Sequence, residues 1–175
     1  MSDAPATTRR PATQAEARAL ANPLRLQILR LCLDRSLTNK QLAEHVGRDP
    51  GTILHHVRTL VETGFLAAEE ARRGPRGSVE RPYRATRKSW TLDIGFRRSN
   101  TLAMVDAFRA ELAAARPRDV VATTRLGVRL GPRALREFRE RLGALTEELA
   151  ASDDPDGTPY GLFVGLHRRR EPDPE

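Results

Sequence analysis

The amino-acid sequence predicts an α+β protein, in which a winged helix-turn-helix domain is followed by a small C-terminal module of helices and strands. Two short amphipathic helical patterns separated by a glycine occupy residues 38–64, and an arginine-rich hairpin pattern follows at 65–86. The second half changes to longer helical and alternating patterns. We expect a disordered tail at residues 1–12, the winged helix at 13–90, the C-terminal module at 91–167 and a second tail at 168–175.

The position of a proline and the spacing of apolar residues predict the first two helices. A helix is expected to begin near Thr13 and to end at Asn22-Pro23, because proline disfavours helical geometry in the residue before it. Pro23 suits the first turn of a second helix, in which apolar residues recur at helical spacing. Two consecutive helices therefore lead into the helix-turn-helix.

The helix-turn-helix has local signals at each boundary. Thr38, with Gln41 three residues later, matches a capping box. Gly47 suits the left-handed residue that ends a helix, and Asp49-Pro50 supplies a cap and a proline for the next one. Gly64 closes this second helix, which we take as the recognition helix.

A hairpin with a cationic tip follows the recognition helix. Its strands are predicted at residues 65–67 and 83–86, joined by a loop that contains two glycines and a proline. Seven Lys and Arg residues and one Glu lie between Arg72 and Lys88, so positive charge is concentrated at the tip and on the returning strand.

The positive charge of the chain lies entirely in its first half. The formal net charge is +7; residues 1–90 carry 16 Lys and Arg against 9 Asp and Glu, whereas residues 91–175 carry 14 of each. A general preference for arginine over lysine does not explain why one half is neutral. The asymmetry predicts a polyanionic partner for the helix-turn-helix half.

The single cysteine and the lack of long apolar segments indicate the compartment. Cys32 cannot form an intrachain disulfide, and its apolar neighbours favour a buried small hydrophobe. No segment reaches the roughly 18 apolar residues of a membrane span, and the first 20 residues lack an apolar signal core. We expect a cytoplasmic protein without a membrane partner.

The second half combines helices and alternating segments. We predict a helix at 93–115, a strand at 120–130, a helix that begins at Pro132, and a final strand at 160–166. The apolar stripes of the two helices either pack on their own sheet or form a dimer interface, and the sequence leaves open which helix forms it. The candidate dimerisation residues are Leu102, Val105, Phe108, Leu112, Leu135, Phe138, Leu142, Leu145 and Leu149.

Three segments together resemble a known family. The stretch 19–29, the pair Leu42-Ala43 and the stretch 56–66 are similar to the corresponding parts of ArsR-type winged-helix repressors, and the resemblance covers roughly residues 15–88. It implies a dimeric, operator-binding regulator whose affinity for DNA changes with an effector.

The metal-sensing chemistry of that family is not transferred. The recognition helix contains no cysteine pair, and the helices at 93–115 and 132–151 contain no histidine. His55 and His56 are neighbours on a helix and point about 100° apart, so they do not readily share one ion. We therefore predict no metal and no cofactor; a small-molecule effector, if present, is of unknown identity.

Polar residues on the outward side of the recognition helix are the predicted base contacts. Thr52 and His55 lie nearest its start, where base edges are usually reached, and both can donate or accept hydrogen bonds. His56 either contacts DNA or is held inside the domain. Wing arginines are expected on phosphates or in the minor groove, and amides at the start of the supporting helix can bind a phosphate. The predicted contacts are Gly51, Thr52, His55, His56, Arg58 and Thr59 in the recognition helix, Thr38 and Asn39 in the supporting helix, and Arg72, Arg73, Arg76 and Arg81 in the wing.

The resulting prediction is a homodimeric, sequence-specific regulator that binds double-stranded DNA and acts as a repressor. A ligand bound by the C-terminal half would change the separation of two recognition helices, about 34 Å on DNA, and weaken their fit. Two alternatives stay open: a winged helix that serves as a protein-interaction scaffold, and a protein that binds nucleic acid without sequence preference.

Two further features complete the prediction. No phosphate loop, nucleophile elbow or metalloprotease helix is present, so we do not expect an enzyme. Trp90 and Tyr83 either belong to the core or line an effector pocket between the halves.

Overall fold

The structure is a computed structural model, and it describes residues 9–73, 79–95 and 97–169. The helices in this part of the chain are α1 (Gln14–Leu20), α2 (Pro23–Asp34), α3 (Asn39–Val46), α4 (Pro50–Glu62), α5 (Arg98–Ala114) and α6 (Pro132–Ala151). The strands are β1 (Arg10–Pro11), β2 (Leu37–Thr38), β3 (Leu66–Ala68), β4 (Arg72–Arg73), β5 (Val79–Glu80), β6 (Pro82–Ala85) and β7 (Leu92–Asp93). Short 3₁₀ turns lie at Lys88–Thr91 and Pro117–Asp119.

A side-chain cap begins each of the first four helices, and the caps predicted at Thr38 and Asp49 are confirmed. Thr13 and Thr38 each form a capping box with the residue three positions later. The side chains of Asn22 and Asp49 cap α2 and α4, and a proline occupies the first turn of both helices. Gly47 is left-handed, with φ 65°, and turns the chain from α3 towards α4. Local interactions therefore define the helix-turn-helix.

The wing extends from a three-stranded antiparallel sheet, whose strand order is β2–β6–β3. Leu66 pairs with Ala85 and Ala68 with Tyr83, so the first wing strand begins one residue later than the sequence predicted. β4 and β5 extend the hairpin towards its tip. The strand β2, which pairs with β6, was not predicted because two residues are too short to show a period.

The core of the winged helix is fully apolar at its centre. Side chains from α2, α3, α4 and the first wing strand contribute to it. The largest of those that are essentially inaccessible to solvent are Ile28, Leu42, Ile53, Val57, Leu60, Phe65 and Leu66. The burial of this face of α4 leaves its other face free to point away from the protein.

The N-terminal tail is shorter than predicted. Arg10 and Pro11 form β1, which pairs in parallel with Leu92 and Asp93, although the sequence analysis assigned them to a disordered segment. An ion pair with a 2.6 Å contact between Arg10 Nη2 and Glu16 Oε1 holds this strand against α1. The composition of the segment gave no sign of the distant partner strand.

α5 belongs to the same compact unit as the winged helix. That unit comprises the described residues up to Ala114 together with those from Gly161 onward. Ala103 and Ala107 are buried on α5, and the Nδ2 of Asn100 donates to the carbonyl of Ala17 at 3.0 Å. The small residues let α5 approach α2, with which it packs. The compact unit that contains the winged helix therefore also includes α5.

The second unit, Ala115–Tyr160, contains α6, whose beginning at Pro132 is confirmed. The strands predicted at 120–130 and 160–166 are absent: the structure has neither helix nor strand at 120–131 or 158–169. The alternating pattern was real, but a strand also needs a neighbour that completes its hydrogen-bond ladder, which alternation cannot supply. Among the described residues, no helix is both long and apolar enough to cross a membrane.

Candidate nucleic-acid interface

The outward side of α4 presents a continuous exposed surface, which we call the reading face: Gly51, Thr52, His55 and Arg58. The opposite side is fixed in the core through Ile53, Val57 and Leu60, each with 0% exposure. The reading face is therefore presented by a rigid helix and carries one hydroxyl, one imidazole and one guanidinium. These groups suit hydrogen bonding to base edges and phosphates.

Two predicted contacts on α4 are partly covered. Thr59 is half-buried, and its hydroxyl donates to the carbonyl of His55 at 3.2 Å. His56 is also half-buried, and its Nδ1 is buried without a hydrogen-bond partner among the described residues. Burial, then the charge of Arg25 and then that of His55 lower the pKa of His56, so its neutral form is favoured. This position agrees with a histidine partly held inside the domain.

The residues at the start of α3 stabilise the motif. Thr38 is buried; its hydroxyl accepts from the amide of Gln41, and its own amide donates to Gln41 Oε1 at 3.0 Å. Asn39 is half-buried, and its Nδ2 donates to the carbonyl of Pro50 at 2.9 Å. Because that bond joins the first residue of α3 to the first residue of α4, it fixes the geometry of the turn. The side chain and amide of Thr38 are thus already engaged within the protein.

The described wing arginines are exposed. Arg72 and Arg73 lie on β4 and Arg81 lies just before β6, whereas Arg76 falls outside the described residues. Arg72 is paired in register with Glu80, but no ion pair joins their side chains. Within the described ranges, Arg58, Arg72, Arg73 and Arg81 form no ion pair.

Six cations elsewhere in the described residues form ion pairs. Arg10 and Lys88 pair with Glu16, Arg30 with Glu111, Arg109 with Asp106, Arg116 with Asp119 and Arg133 with Glu137. The described arginines of α4 and the wing are not neutralised by an acidic side chain of the described residues, so they can contact an external anion. Net positive charge at that surface raises the rate and the affinity of encounter with a polyanion.

Sequence reasoning missed two cations beside the turn of the helix-turn-helix. Lys40, in the first turn of α3, and Arg48, between α3 and α4, are both exposed. Lys40 lies next to Asn39, and Arg48 lies one residue before the cap of α4. The signal that could have found them is their position near the starts of two consecutive helices.

The far end of α4 is anchored by Lys88. The Nζ of Lys88 donates to the carbonyl of Thr63 at 2.6 Å and contacts Glu16 Oε1 at 2.8 Å. Hydrogen bonds first from Arg10 and then from Lys88 lower the pKa of Glu16 well below its usual range. A buried carboxylate on α1 thereby connects the N-terminal strand to the C-terminal end of the recognition helix.

The described residues contain no cluster of metal-ligating side chains, and their one cysteine is buried. No group of three His, Cys, Asp or Glu side chains that could hold a metal ion occurs in the part of the chain that the structure describes. Cys32 has 0% exposure, and burial raises the pKa of its thiol to about 12. The thiolate, which is the reactive form, is therefore negligible near neutral pH.

An exposed reading face, an arginine-bearing wing and the β2–β6–β3 sheet define a winged helix-turn-helix domain. Residues 22–68 match the family model described as "Bacterial regulatory protein, arsR family", which confirms the resemblance over that segment. The chain thus contains a DNA-binding domain of the kind found in bacterial transcriptional regulators.

One solved structure is similar to part of the chain. Reduced HlyU from Vibrio cholerae is 17% identical, with 58% of this chain and 87% of that chain covered and a TM-score of 0.36. No curated protein matches the chain.

Proposed function

We propose that the chain is a homodimeric, sequence-specific transcriptional regulator that binds double-stranded DNA, acts as a repressor and responds to an effector. The observation that carries this proposal is the exposed reading face of α4, together with wing arginines that form no ion pair among the described residues of the same domain. Such a regulator works where the DNA is, so the same proposal includes the cytoplasm.

We assign base recognition to Thr52 and His55. In a helix-turn-helix the N-terminal part of the recognition helix reaches the major groove, and these two side chains are exposed there. Threonine can donate, accept or contact a thymine methyl group, and neutral histidine can donate with one ring nitrogen and accept with the other. Arg58 lies one turn further and suits the flanking phosphates.

We assign contact with the DNA backbone to the wing. Arg72, Arg73 and Arg81 are exposed cations without ion-pair partners among the described residues, and we assign Arg76 the same role from its sequence position. Lys40 and Arg48 extend the cationic surface to the turn between α3 and α4. Such contacts fix the register of a protein on DNA and release counterions, but carry no direct sequence information.

Dimerisation is supported by apolar residues that the single chain leaves exposed. On α5, Leu102 is 51% exposed and Val105 and Leu112 are also exposed, whereas Phe108 stacks on Phe163 of its own chain at 5.6 Å. On α6, the stripe Leu135, Phe138, Leu145 and Leu149 is exposed and Leu142 is half-buried. A folded chain rarely leaves so many large apolar side chains uncovered along a helix.

The charge distribution of α6 favours an antiparallel pairing of two copies. Residues 132–141 carry four Arg and two Glu, whereas residues 142–151 carry two Glu and no cation. In an antiparallel pair, the basic half of each helix lies against the acidic half of the other. A two-fold symmetric contact of this kind is self-complementary.

Selection of bound sequences from random DNA with the purified protein tests the DNA function. We expect a two-fold symmetric site, and a log–log salt slope of about −5 for roughly six phosphate contacts. Thr52→Ala should change the preference at one or two base pairs, while Arg73→Ala should weaken all sequences alike and reduce the slope by about 1. Arg109→Ala, on the outer surface of α5, is the control.

Each alternative outcome has a clear interpretation. A steep slope without sequence preference contradicts base recognition by Thr52 and His55. A flat slope contradicts DNA binding as such and indicates a protein-interaction domain.

Sedimentation measurements test the dimer separately. Replacing Leu145 and Leu149 with Glu should convert the dimer to a monomer, because carboxylates would replace the apolar side chains that the contact buries. Leu102→Glu on α5 is the matched variant, and the variant that dissociates the dimer identifies the helix at the interface.

A further inference from the structure

Two segments, one on each side of α6, run without a turn or bend and pair with no strand. They cover residues 120–131 and 158–169. Among the described residues, no backbone hydrogen bond joins residues 121–128 or 160–166 to another segment. A row of N–H and C=O groups along such a segment is a template on which another strand can pair. Both segments therefore have the backbone of a strand without the neighbour that a strand needs.

The first of these segments has the side-chain pattern of a strand with one covered face. Its apolar face includes Leu126 and Val128, which are 79% and 55% exposed, and its other face includes Thr123 and Arg125. Every side chain of residues 120–131 is exposed. An alternating pattern of this kind is typical of a strand whose apolar face lies on a core. The single chain does not supply that core.

The second segment is held by its own chain on one face only. Phe163 is half-buried and stacks on Phe108 of α5, with ring centroids 5.6 Å apart, and with Trp90 it lines a cavity of about 230 Å³ between α2 and α5. A Cβ on Gly161 would lie 3.3 Å from Glu111 Oε2, so glycine permits the close approach. The opposite face is 48% to 71% exposed and consists of Tyr160, Leu162, Val164 and Leu166. The segment is thus positioned, but one face and its backbone stay available.

The charge of α6 favours a second copy of the chain as the partner. Residues 132–141 carry four Arg and two Glu, a net charge of +2, whereas residues 142–151 carry two Glu and no cation, a net charge of −2. An antiparallel second copy places each basic half against an acidic half. A parallel copy would place like charges together.

An antiparallel pair of α6 helices brings the two kinds of segment to the same end. The helix has 20 residues and is therefore about 30 Å long. In such a pair, the start of one helix at Pro132 lies beside the end of the other at Ala151. Residues 120–131 of one copy arrive at that end, and the chain of the other copy leaves from it towards residues 160–166. A turn closed by the amide of Gly157 and the carbonyl of Asp154, 3.0 Å apart, shortens the connection.

We propose that residues 120–130 of each copy pair as a β-strand with residues 160–166 of the second copy. The two-fold axis of the dimer then generates two identical ladders, one at each end of the α6 pair. Each ladder supplies the backbone hydrogen bonds that the single chain lacks and joins its apolar side chains into one surface. The proposal rests on the proposed function for the dimer, and it adds which backbone segments of the two copies pair.

Hydrogen exchange of the unaltered protein measures the ladders, with sedimentation giving the fraction of dimer. The amides of residues 121–128 and 161–166 should exchange at least roughly tenfold more slowly in the dimer than after dilution to the monomer. The same protection should be lost in the Leu145→Glu/Leu149→Glu variant. The amides of α4 are the internal control and should exchange equally in all three samples. Exchange of the two segments at the same rate in dimer and monomer overturns the proposal.

Cross-linking distinguishes the second copy from the chain itself. In the double variant Leu126→Cys/Val164→Cys, a bismaleimide that spans about 10 Å reaches across neighbouring strands. We expect a product with the mass of a dimer, and little product from either single variant. Leu126→Cys/Val79→Cys is the matched control, because Val79 is an exposed valine of the wing. The natural Cys32 is buried and should not react. A product with the mass of a monomer, or no product, overturns the pairing between copies.

The remaining outcomes separate this pairing from the proposed function. A dimer in which neither segment is protected overturns the pairing and leaves the dimer in place. Protected, cross-linked segments in a protein that binds no DNA contradict the DNA function and support the pairing. A protein that stays monomeric at every concentration contradicts the proposed dimer and the pairing together, while its DNA affinity is still measured separately.

Discussion

The helices α4 and α6 both carry an apolar stripe, but the stripe of α4 is buried within its own chain and the stripe of α6 is exposed. On α4, Leu60 is completely buried among α2, α3 and the wing. On α6, Leu145 is 61% exposed, and no residue of that helix is buried. The winged helix buries the apolar stripe of α4 in its core, whereas the second unit leaves the apolar stripe of α6 exposed. An apolar stripe therefore indicates a face that needs a partner, but does not say which one.

Truncation of the two leucines gives the largest expected contrast. Leu60→Ala should lower the free energy of unfolding by about 2–5 kcal/mol, because it opens a cavity in a packed core. Leu145→Ala should change it by less than about 0.5 kcal/mol at protein concentrations where the chain is monomeric. Thermal and urea unfolding measure both values. If both substitutions lowered the free energy of unfolding equally, α6 would be packed within its own chain, and the proposed difference between the two helices would be wrong.

Removal of the buried carboxylate of the first unit should have the next largest effect. Glu16→Gln breaks the contacts with Arg10 and Lys88 and should cost about 1–3 kcal/mol at pH 7, the range for hydrogen bonds to charged groups. Because the folded-state pKa of Glu16 is lowered, its contribution is present above the ordinary pKa of 4.5 and is lost as pH falls below it.

Urea unfolding at pH 7 and pH 4 measures this effect. The difference between Glu16→Gln and the unaltered protein should shrink at the lower pH. Glu62→Gln, on the exposed side of α4, is the control. A difference that is independent of pH would mean that packing, rather than charge, is responsible.

A smaller effect is expected from His56, which lies between the core and the reading face. Its lowered pKa means that the unfolded chain binds more protons near pH 6, so stability should decline as pH falls through the ordinary pKa of 6.5. His56→Gln should remove that part of the pH dependence, whereas His167→Gln in the exposed C-terminal segment should not. An unchanged pH profile in His56→Gln would contradict the lowered pKa.

The smallest effect is expected on the surface of α6. Arg133 and Glu137 form an exposed pair at 2.7 Å, and Arg133→Gln should cost only a few tenths of a kcal/mol in unfolding. Measuring it in 0.05 and 1 M salt, roughly the limits of weak and strong screening, should show that most of the effect disappears. A larger effect on dimer dissociation than on unfolding would support the antiparallel pairing.

Sequence reasoning was most successful where short-range chemistry decides the structure. The helix start near Thr13, the capping box at Thr38, the cap at Asp49 and the turn at Gly47 each depend on a few neighbouring residues, and all are confirmed. It was less successful with pairings between distant segments. The strand at Arg10–Pro11 was not predicted, and the two strands predicted in the second half do not form. Both errors arise because a strand depends on a partner far away in sequence.

The sequence by itself determined the helix-turn-helix, the excess of arginine in the wing and the stretch that matches the ArsR family model. The tertiary structure alone decided that Thr38 is buried, that Lys88 holds the end of α4, and that α2 and α5 enclose a cavity. The physical reason is range. Capping, periodicity and local charge act over a few residues of chain, whereas burial, ion pairs and cavities depend on segments that only folding brings together.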